Sequence, residues 1–235
     1  MDLSIKFYQD AHSHQCSYLP GQKARNLYPD PELVMTNEVY SQLIQHGFRR
    51  SGNSCYRPHC PACNACVPVR INIDKFKISR SQRRCLKRNQ NLTITHHLAE
   101  FNLEHYSLYS RYLKTRHANA GMDNPTQISY CDFLTSDWGD THFIQFHDDS
   151  KLVGLAVTDY IDNAISAFYT FFDPDYTQQS IGTYAILEQI NIARNHGLSY
   201  VYLGYWIENS QKMSYKQNFS GVEGYIDHQW QPLER

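Results

Sequence analysis

The second half of the sequence carries an order of strands and one long helix that restricts the chain to few folds. Alternating apolar and polar residues, separated by short turns rich in aspartate, predict three strands over residues 142–147, 152–161 and 164–172. A helix with an apolar stripe follows over residues 180–196, and a buried strand over 198–203 ends the series. This order predicts an α+β fold with a mostly antiparallel sheet.

The first half is patterned less regularly. We expect helices over residues 30–47, 80–89, 101–117 and 127–134, and strands over 66–73 and 92–97. Asp30 and Pro31 suit a helix start, and Ser79 suits the N-cap of a short basic helix. No flexible linker is visible, and we place the boundary between two modules at residue 98, which gives modules 1–98 and 99–235.

A strip of basic residues stands out in a chain whose net charge is −1. Residues 70–88 contain eight basic side chains and one acid, so this strip carries +7 and the remainder of the chain −8. Its helical part holds Arg80, Arg83, Arg84 and Lys87. The alternative is a solvated helix face, but the lack of compensating acids favours a polyanion such as a nucleic acid, whose phosphates attract such charge without base specificity.

The seven cysteines are an odd number, and the N-terminus lacks a basic start followed by an apolar stretch. We therefore expect reduced thiols and a cytoplasmic location rather than a secreted disulfide framework. No apolar run is long enough for a membrane span, so we expect no membrane partner.

Three of the cysteines are spaced to converge on one metal ion: Cys60, Cys63 and Cys66. Cys16 is the first choice for a fourth ligand, with Cys55 or His59 as alternatives. The sequence therefore predicts a structural zinc or iron–sulfur cluster, against the alternative that these cysteines are small packing residues.

Two further segments suit a nucleotide. Ser180 and Gly182 open the long helix, where free backbone N–H groups attract an anion. Trp206 lies in an aromatic run that is followed by Lys212 and Lys216, a combination typical of a stacking platform for a nucleotide end. The alternative for the aromatic run is a hydrophobic cap over the sheet.

Several motifs in a fixed order extend over nearly the whole chain. They are Tyr18-Leu-Pro-Gly-Gln22, Gly47-Phe-Arg-Arg-Ser-Gly52, Tyr56-Arg-Pro-His-Cys-Pro-Ala-Cys-Asn-Ala-Cys-Val-Pro-Val-Arg70, Ser79-Arg-Ser-Gln-Arg-Arg84, Tyr202-Leu-Gly-Tyr-Trp-Ile207 and Lys212-Met-Ser-Tyr-Lys216. In these motifs the chain resembles the bacterial aspartate/glutamate leucyltransferases, which belong to the wider arginyl-tRNA–protein transferase family.

The resemblance implies an N-terminal module that carries the cysteines and a C-terminal module with an acetyltransferase (GNAT)-like mixed sheet flanked by helices. It implies transfer of leucine from leucyl-tRNA to proteins that begin with Asp or Glu, which marks them for degradation by the N-degron pathway. Eukaryotic members place a cysteine pair at each of two positions, whereas this chain has Cys16 alone at the first position and three spaced cysteines at the second.

The chemistry of such a transfer needs alignment more than a special nucleophile. The donor is an activated ester, and an α-amine with a pKa of about 7.7–8.0 is partly neutral at cytosolic pH. We therefore expect that no cofactor is required, and that the enzyme aligns amine and ester, removes a proton and stabilises the oxyanion. The catalytic candidates are Asp173, Tyr205 and Glu208.

The carboxylate of the acceptor's first residue needs a cation, and arginine offers two parallel N–H groups. The candidates are Arg49, Arg50 and Arg70, with Arg80 next. The alternatives for the whole chain are an arginyl-tRNA–protein transferase with the same acceptors, a non-catalytic RNA-binding protein and a small-molecule acetyltransferase. The sequence leaves the oligomeric state open.

Overall fold

The structure, a computed structural model, describes residues 5–116 and 124–233. In chain order the strands are β1 (Phe7–Gln9), β2 (His14–Gln15), β3 (Lys23–Ala24), β4 (Asn26–Pro29), β5 (Arg49–Ser51), β6 (Ser54–Pro58), β7 (Val67–Asn72), β8 (Thr93–Leu98), β9 (Asp140–Asp148), β10 (Lys151–Ile161), β11 (Ala164–Phe172), β12 (Tyr200–Trp206), β13 (Val222–Ile226) and β14 (Gln229–Pro232). The helices are α1 (Asn37–Gln45), α2 (Arg80–Arg88), α3 (Leu103–Arg116), α4 (Gln127–Leu134) and α5 (Ile181–Asn195), and short 3-10 helices cover Pro174–Gln179 and Ser214–Asn218.

One eight-stranded sheet joins both halves of the chain, in the order β14-β13-β7-β12-β11-β10-β9-β8. Its neighbouring strands are antiparallel except for the parallel pair β11 and β12. The predicted α+β fold with a mixed sheet flanked by helices is confirmed. β7 and β8 belong to the predicted N-terminal module yet lie in this sheet, so a boundary at residue 98 does not separate two independent sheets.

Helices cover both faces of the large sheet. Successive side chains of a strand point to opposite sides, so one strand packs against helices on both faces. Ile144 and Phe146 of β9 pack with α5 and Cys85 of α2, whereas Phe143 packs with α3 and α4 on the other face. Burying each large apolar side chain contributes about 1.5–3 kcal/mol, so the two layers hold the sheet firmly.

A smaller sheet with the order β1-β4-β6-β5 packs with α1 against one end of the large sheet. Tyr40 of α1 and Phe48 share a buried cluster there with Ile161 and Tyr202. This contact fixes β5 and the loop before it beside β11 and β12, which places Arg49 at the centre of the molecule.

The structure differs from the sequence predictions mainly near the N-terminus. The predicted helix start at Asp30 is wrong: α1 begins at Asn37, because Thr36 accepts a hydrogen bond from the Val39 N–H at 3.3 Å. Asp30 instead accepts from the Glu32 N–H in a turn. β5, β6, β13 and β14 were not predicted, and the predicted helix end at residue 117 lies outside the described residues. Among the described residues, no helix has the length and apolar character needed to cross a membrane.

Candidate active site

A cleft opens in the large sheet where the two parallel strands part. β11 and β12 pair only from Ala164 to Ser166 and from Tyr200 to Tyr202. The Arg49 side chain enters beyond this point, and its Nη2 donates to the Phe168 carbonyl of β11 at 2.6 Å. A cation therefore occupies the position where the pairing of the two strands ends.

Gly204 of β12 allows Arg49 to approach so closely. A Cβ at this position would lie 3.0 Å from Nη1 of Arg49, and the backbone has a φ of +73°, which disfavours other residues. The glycine in the motif Tyr202-Leu-Gly-Tyr-Trp thus leaves room for the arginine of the motif Gly47-Phe-Arg-Arg.

Tyrosines surround the Arg49 guanidinium. Burial lowers the pKa of Arg49, but Tyr56, Tyr18, Tyr205 and Tyr40 raise it by more, so the net direction is upward. Arg49 is therefore charged at neutral pH. It forms no ion pair with any Asp or Glu in the described part of the chain.

Lys216 is a second cation in the same cleft. It is 5% exposed, and its Nζ donates to the Tyr205 carbonyl at the end of β12. Burial and, next, the charge of Arg49 lower the pKa of Lys216 to about 7. The predicted tRNA-binding pair is corrected here: Lys212 is exposed, whereas Lys216 is buried, because the segment Ser214–Asn218 is a 3-10 helix and does not align the two lysines on one α-helical face.

The basic helix α2 begins as predicted, with Ser79 as its N-cap in a capping box with Gln82. Its predicted tRNA-binding side chains Arg80, Arg83, Arg84 and Lys87 are all exposed. None of them forms an ion pair among the residues that the structure describes. Their charge therefore stays open to a polyanion.

A groove of about 250 Å³ separates α2 from the start of α5. It brings Arg84 of the basic helix together with Ser180, two residues that the sequence predicts as tRNA-binding from separate motifs, and adds Arg88 and Tyr215. Tyr215 is 40% exposed and its neighbour Lys216 lies in the cleft, so the groove leads toward Arg49.

Ser180 and Gly182 lie at the N-terminus of α5, and Ser180 has a left-handed backbone with a φ of 56°. No side chain of the described residues caps this helix, in contrast to α1, α2 and α4, which Thr36, Ser79 and Thr126 cap. The positive end of the helix dipole therefore faces the groove without a side-chain partner, which suits an anion.

Two of the three predicted acceptor-binding arginines are held inside the protein. Arg50 is 1% exposed and pairs with Asp159, with an Nη2 to Oδ1 distance of 2.6 Å. Arg70 is 9% exposed, pairs with Glu223 at 3.0 Å and stacks on Tyr200. The prediction is corrected for both, because each is buried and paired with a buried carboxylate; Arg49 alone of the three enters the cleft.

The predicted catalytic residues are poorly suited to accept a proton. Asp173 is fully buried and receives Arg111 and Lys151, which, against burial, hold the pKa of its carboxyl below the ordinary value. The Tyr205 hydroxyl donates to the carbonyls of Gly47 and Tyr56 at 2.9 and 3.1 Å, and burial raises its pKa far above the ordinary value. Both residues therefore hold the fold around the cleft.

Trp206 is the last residue of β12, and Glu208 lies just after the strand. Glu208 is exposed on the turn after the strand. The Trp206 indole Nε1 is buried and has no hydrogen-bond partner among the described residues. An indole donor without a partner is costly unless a ligand or water satisfies it, so Trp206 stays a candidate for substrate contact.

The four cysteines predicted as ligands do lie near one another. Burial, followed by Cys60, Cys16 and Cys63, raises the pKa of the Cys66 thiol to about 12. The Cys16 sulfur also accepts from the N–H groups of Tyr18 and Leu19, at 3.5 and 3.4 Å. However, no three His, Cys, Asp or Glu side chains of the described residues are arranged to hold one metal ion. The donor types suit zinc, but their arrangement does not fit it, and the metal stays a prediction.

Sequence reasoning missed the tyrosines of the cleft, Tyr18 and Tyr56, and the groove residue Tyr215. The first two lie within motifs quoted above, but their convergence on Arg49 depends on the packing of the small sheet against the large one. Lys216 was identified from its motif, whereas its burial depends on the 3-10 turn.

Comparison with known proteins shows the family to which the chain belongs. Sequence models of the arginine-tRNA-protein transferase family match residues 14–84 (N terminus) and 104–226 (C terminus). An aspartate/glutamate leucyltransferase of Thiobacillus denitrificans is 46% identical over 230 residues, which is 98% of this chain and 95% of that protein. One of Nitrosococcus oceani is 48% identical over 220 residues, 93% of this chain and 92% of that protein.

Solved structures give weaker likenesses. The L-PGS structure from Bacillus licheniformis has a TM-score of 0.43 at 14% identity, covering 61% of this chain and 47% of that one. A GCN5-related glucosamine N-acetyltransferase region in a fungal multi-domain enzyme has a TM-score of 0.44 at 8% identity, covering 84% of this chain and 22% of that one. The family matches and the leucyltransferase relatives cover most of the sequence, and the chain therefore belongs to the arginine-tRNA-protein transferase family.

Proposed function

We propose that this chain transfers leucine from leucyl-tRNA to the N-terminal α-amine of proteins that begin with Asp or Glu. The observation that carries the proposal is the identity of 43–48% with proteins named aspartate/glutamate leucyltransferase, over 92–98% of the chain. The cleft and the groove described above supply a place for each substrate.

The acceptor's acidic side chain meets Arg49 in this proposal. A guanidinium that is charged and has no carboxylate partner favours an anionic ligand, and its two N–H groups match a carboxylate. Arg50 and Arg70 are excluded because Asp159 and Glu223 occupy them.

The acceptor end of the tRNA lies along the groove between α2 and α5. Arg84 and the exposed residues of α2 attract its phosphates, and the uncapped start of α5 adds a further positive site. Tyr215 offers a ring on which a terminal base stacks on its way to the cleft.

The cleft favours leucine over arginine as the transferred residue. A transferred arginine side chain needs a carboxylate partner, whereas neither Arg49 nor Lys216 of the cleft has an Asp or Glu paired with it in the described residues. The charged guanidinium of Arg49 repels a second cation by several kcal/mol when the two share a site with little water.

The reaction requires no cofactor, because the aminoacyl ester is already activated. Alignment of amine and ester supplies most of the acceleration. We further propose that the new N-terminal leucine marks the protein for degradation, and that the enzyme works in the cytoplasm.

The proposal is tested with a peptide that begins with Glu, incubated with the purified protein and tRNA charged with labelled leucine or labelled arginine. Label from leucyl-tRNA alone is the expected result. Label from arginyl-tRNA alone would reassign the donor, and RNA binding without transfer from either would contradict the proposed activity.

A further inference from the structure

Lys216 is the one residue of the cleft that combines burial with a group able to lose its charge near neutral pH. The buried arginines of the described chain, Arg50 and Arg70, each have a carboxylate partner. Among the described residues, Lys216 has only the neutral carbonyl of Tyr205 as a hydrogen-bond partner, and the charged group that faces it is Arg49. A charged ammonium in such surroundings is costly, because neither water nor an anion compensates it.

A lysine in this position therefore loses its proton much more readily than an exposed lysine does. One of its N–H groups donates to the Tyr205 carbonyl, and the lone pair of the neutral amine accepts no hydrogen bond from the described residues. Burial, followed by the charge of Arg49, lowers the pKa of Lys216 to about 7, which is close to that of the acceptor's α-amine. General bases work best when their pKa lies near the working pH.

We propose that Lys216 is the proton acceptor of the transfer reaction, taking the proton that the acceptor's α-amine loses as it attacks the leucyl ester. The assignment rests on the proposed function. It is preferred to Asp173 and Tyr205, whose carboxylate and hydroxyl groups are committed elsewhere, and to Glu208, which is exposed on the turn after β12.

Each proton and bond in this step is accounted for. The neutral amine nitrogen attacks the ester carbonyl carbon, a C–N bond forms, and the carbonyl electron pair moves to oxygen. Lys216 Nζ takes the proton from the new C–N nitrogen and becomes an ammonium. The tetrahedral intermediate then collapses, the bond to the terminal ribose oxygen breaks, and Lys216 returns the proton to that oxygen.

The proximity of Arg49 couples recognition to this step. An acidic acceptor side chain bound to Arg49 neutralises the charge that depresses the basicity of Lys216. A bound Asp or Glu thus makes Lys216 a stronger base, whereas an uncharged residue does not. The same change raises the protonated fraction of Lys216 at neutral pH, so with an acidic acceptor the pH profile of the chemical step is expected to shift to higher pH than with an uncharged one.

The test uses single-turnover transfer from leucyl-tRNA to a peptide that begins with Glu, with both substrates saturating. Lys216→Arg keeps a cation but cannot lose its proton at neutral pH, and Lys216→Ala leaves space for a small amine. We expect both variants to lose about 100- to 1,000-fold in rate. Lys6→Met, at an exposed site, is the matched control and is expected to keep the wild-type rate.

Added alkylamines are expected to restore the Lys216→Ala rate, with a restored rate that rises with the pKa of the amine. A purely structural lysine would not give this dependence. A Lys216→Arg rate within threefold of wild type, or a Lys216→Ala rate that no alkylamine restores, would overturn the assignment while wild-type transfer still supports the proposed function. Absence of transfer by the wild-type protein would overturn the proposed function itself and the inference with it.

Discussion

Arg49 and Arg50 are neighbours in the chain, yet they occupy opposite electrostatic surroundings. Arg50 donates to Asp159, to Thr141 and to the Leu134 carbonyl in a fully buried site. Arg49 points to the other side of β5, into the cleft, where its hydrogen bond is to the Phe168 carbonyl. The alternation of side chains along a strand is enough to separate a structural cation from one that is free to bind a substrate.

The comparison shows that charge balance, and not residue type, marks the site. Where a buried cation has its carboxylate, as at Arg50 and Arg70, the pair stabilises the fold once both partners are present. Where the charged Arg49 lies beside the buried Lys216 with no acid paired to either among the described residues, the arrangement has a free-energy cost that a bound anion relieves. The first arrangement predicts effects on stability, and the second predicts effects on activity.

The largest expected effect is on the stability of the protein and concerns Arg50, the buried cation that is paired with Asp159. Replacing Asp159 with Ala leaves Arg50 buried and charged without a partner, so the free energy of unfolding should fall by about 3–5 kcal/mol. Urea denaturation measures this, with Glu100→Ala at an exposed site as a control that changes stability by no more than about 0.5 kcal/mol. A loss below about 1 kcal/mol for Asp159→Ala would remove the contrast between the two arginines.

Arg49 has no carboxylate partner among the described residues, so its replacement should affect activity. Arg49→Met should lower kcat/KM for a peptide beginning with Glu by about 30- to 100-fold, because a desolvated charge pair with the acceptor is lost. The free energy of unfolding should not fall, since the substitution removes a half-buried cation that has no carboxylate partner among the described residues. Steady-state kinetics and urea denaturation of the same preparation test both halves. A variant that is unstable but fully active when folded would reverse the roles assigned to the two arginines.

Asp173 offers the inverse case, a buried carboxylate that receives two cations, Arg111 and Lys151. Because its folded pKa is lowered, its stabilising effect is present above its unfolded pKa and is lost as pH falls through the folded pKa. Asp173→Asn should therefore cost about 1.5 kcal/mol of stability near pH 7, and the difference from wild type should shrink below about pH 4.

The same variant tests whether Asp173 has a catalytic role. When folded at neutral pH, Asp173→Asn should transfer leucine at a rate within several-fold of wild type. A loss as large as that expected for Lys216→Arg would return Asp173 to the catalytic residues.

The smallest effects are expected on α2, where the attraction between exposed cations and the tRNA phosphates is screened by water and salt. Arg84→Ala and Lys87→Ala should each weaken leucyl-tRNA binding by a few-fold and reduce the slope of log affinity against log salt by about 1. Binding titrations over a range of salt concentrations measure this. A slope that neither substitution changes would place the tRNA elsewhere.

The sequence predicted the elements whose pattern is local and strong. The predicted bounds agree within a few residues with those of β9, β10, β11 and α5. Alternating apolar side chains indicate the buried face of a strand, and a glycine marks the end of the helix. The short strands β1 to β4 pair mostly exposed side chains, so no apolar alternation identifies them.

The site was predictable as a set of motifs but not as an arrangement. The sequence predicts Arg49 as acceptor-binding and Ser180 and Lys216 as tRNA-binding, and these roles stay predictions, whereas nothing local distinguishes Arg49 from Arg50. The distinction depends on Asp159, which lies far along the chain on β10, and on Gly204, which leaves room beside β12. Such contacts between distant segments are not encoded in any one window of the sequence.

The acceptor preference of Arg49 tests the central claim most directly. Leucine transfer would be measured to two peptides that differ only in a first residue of Glu or Gln, which have nearly the same shape but different charge, for the wild-type protein and for Arg49→Met. We expect wild type to prefer Glu by about 100-fold in kcat/KM, equivalent to about 2.7 kcal/mol, and Arg49→Met to treat the two peptides almost alike. An Arg49→Met protein that keeps the full preference for Glu would show that the acidic side chain is recognised outside the cleft.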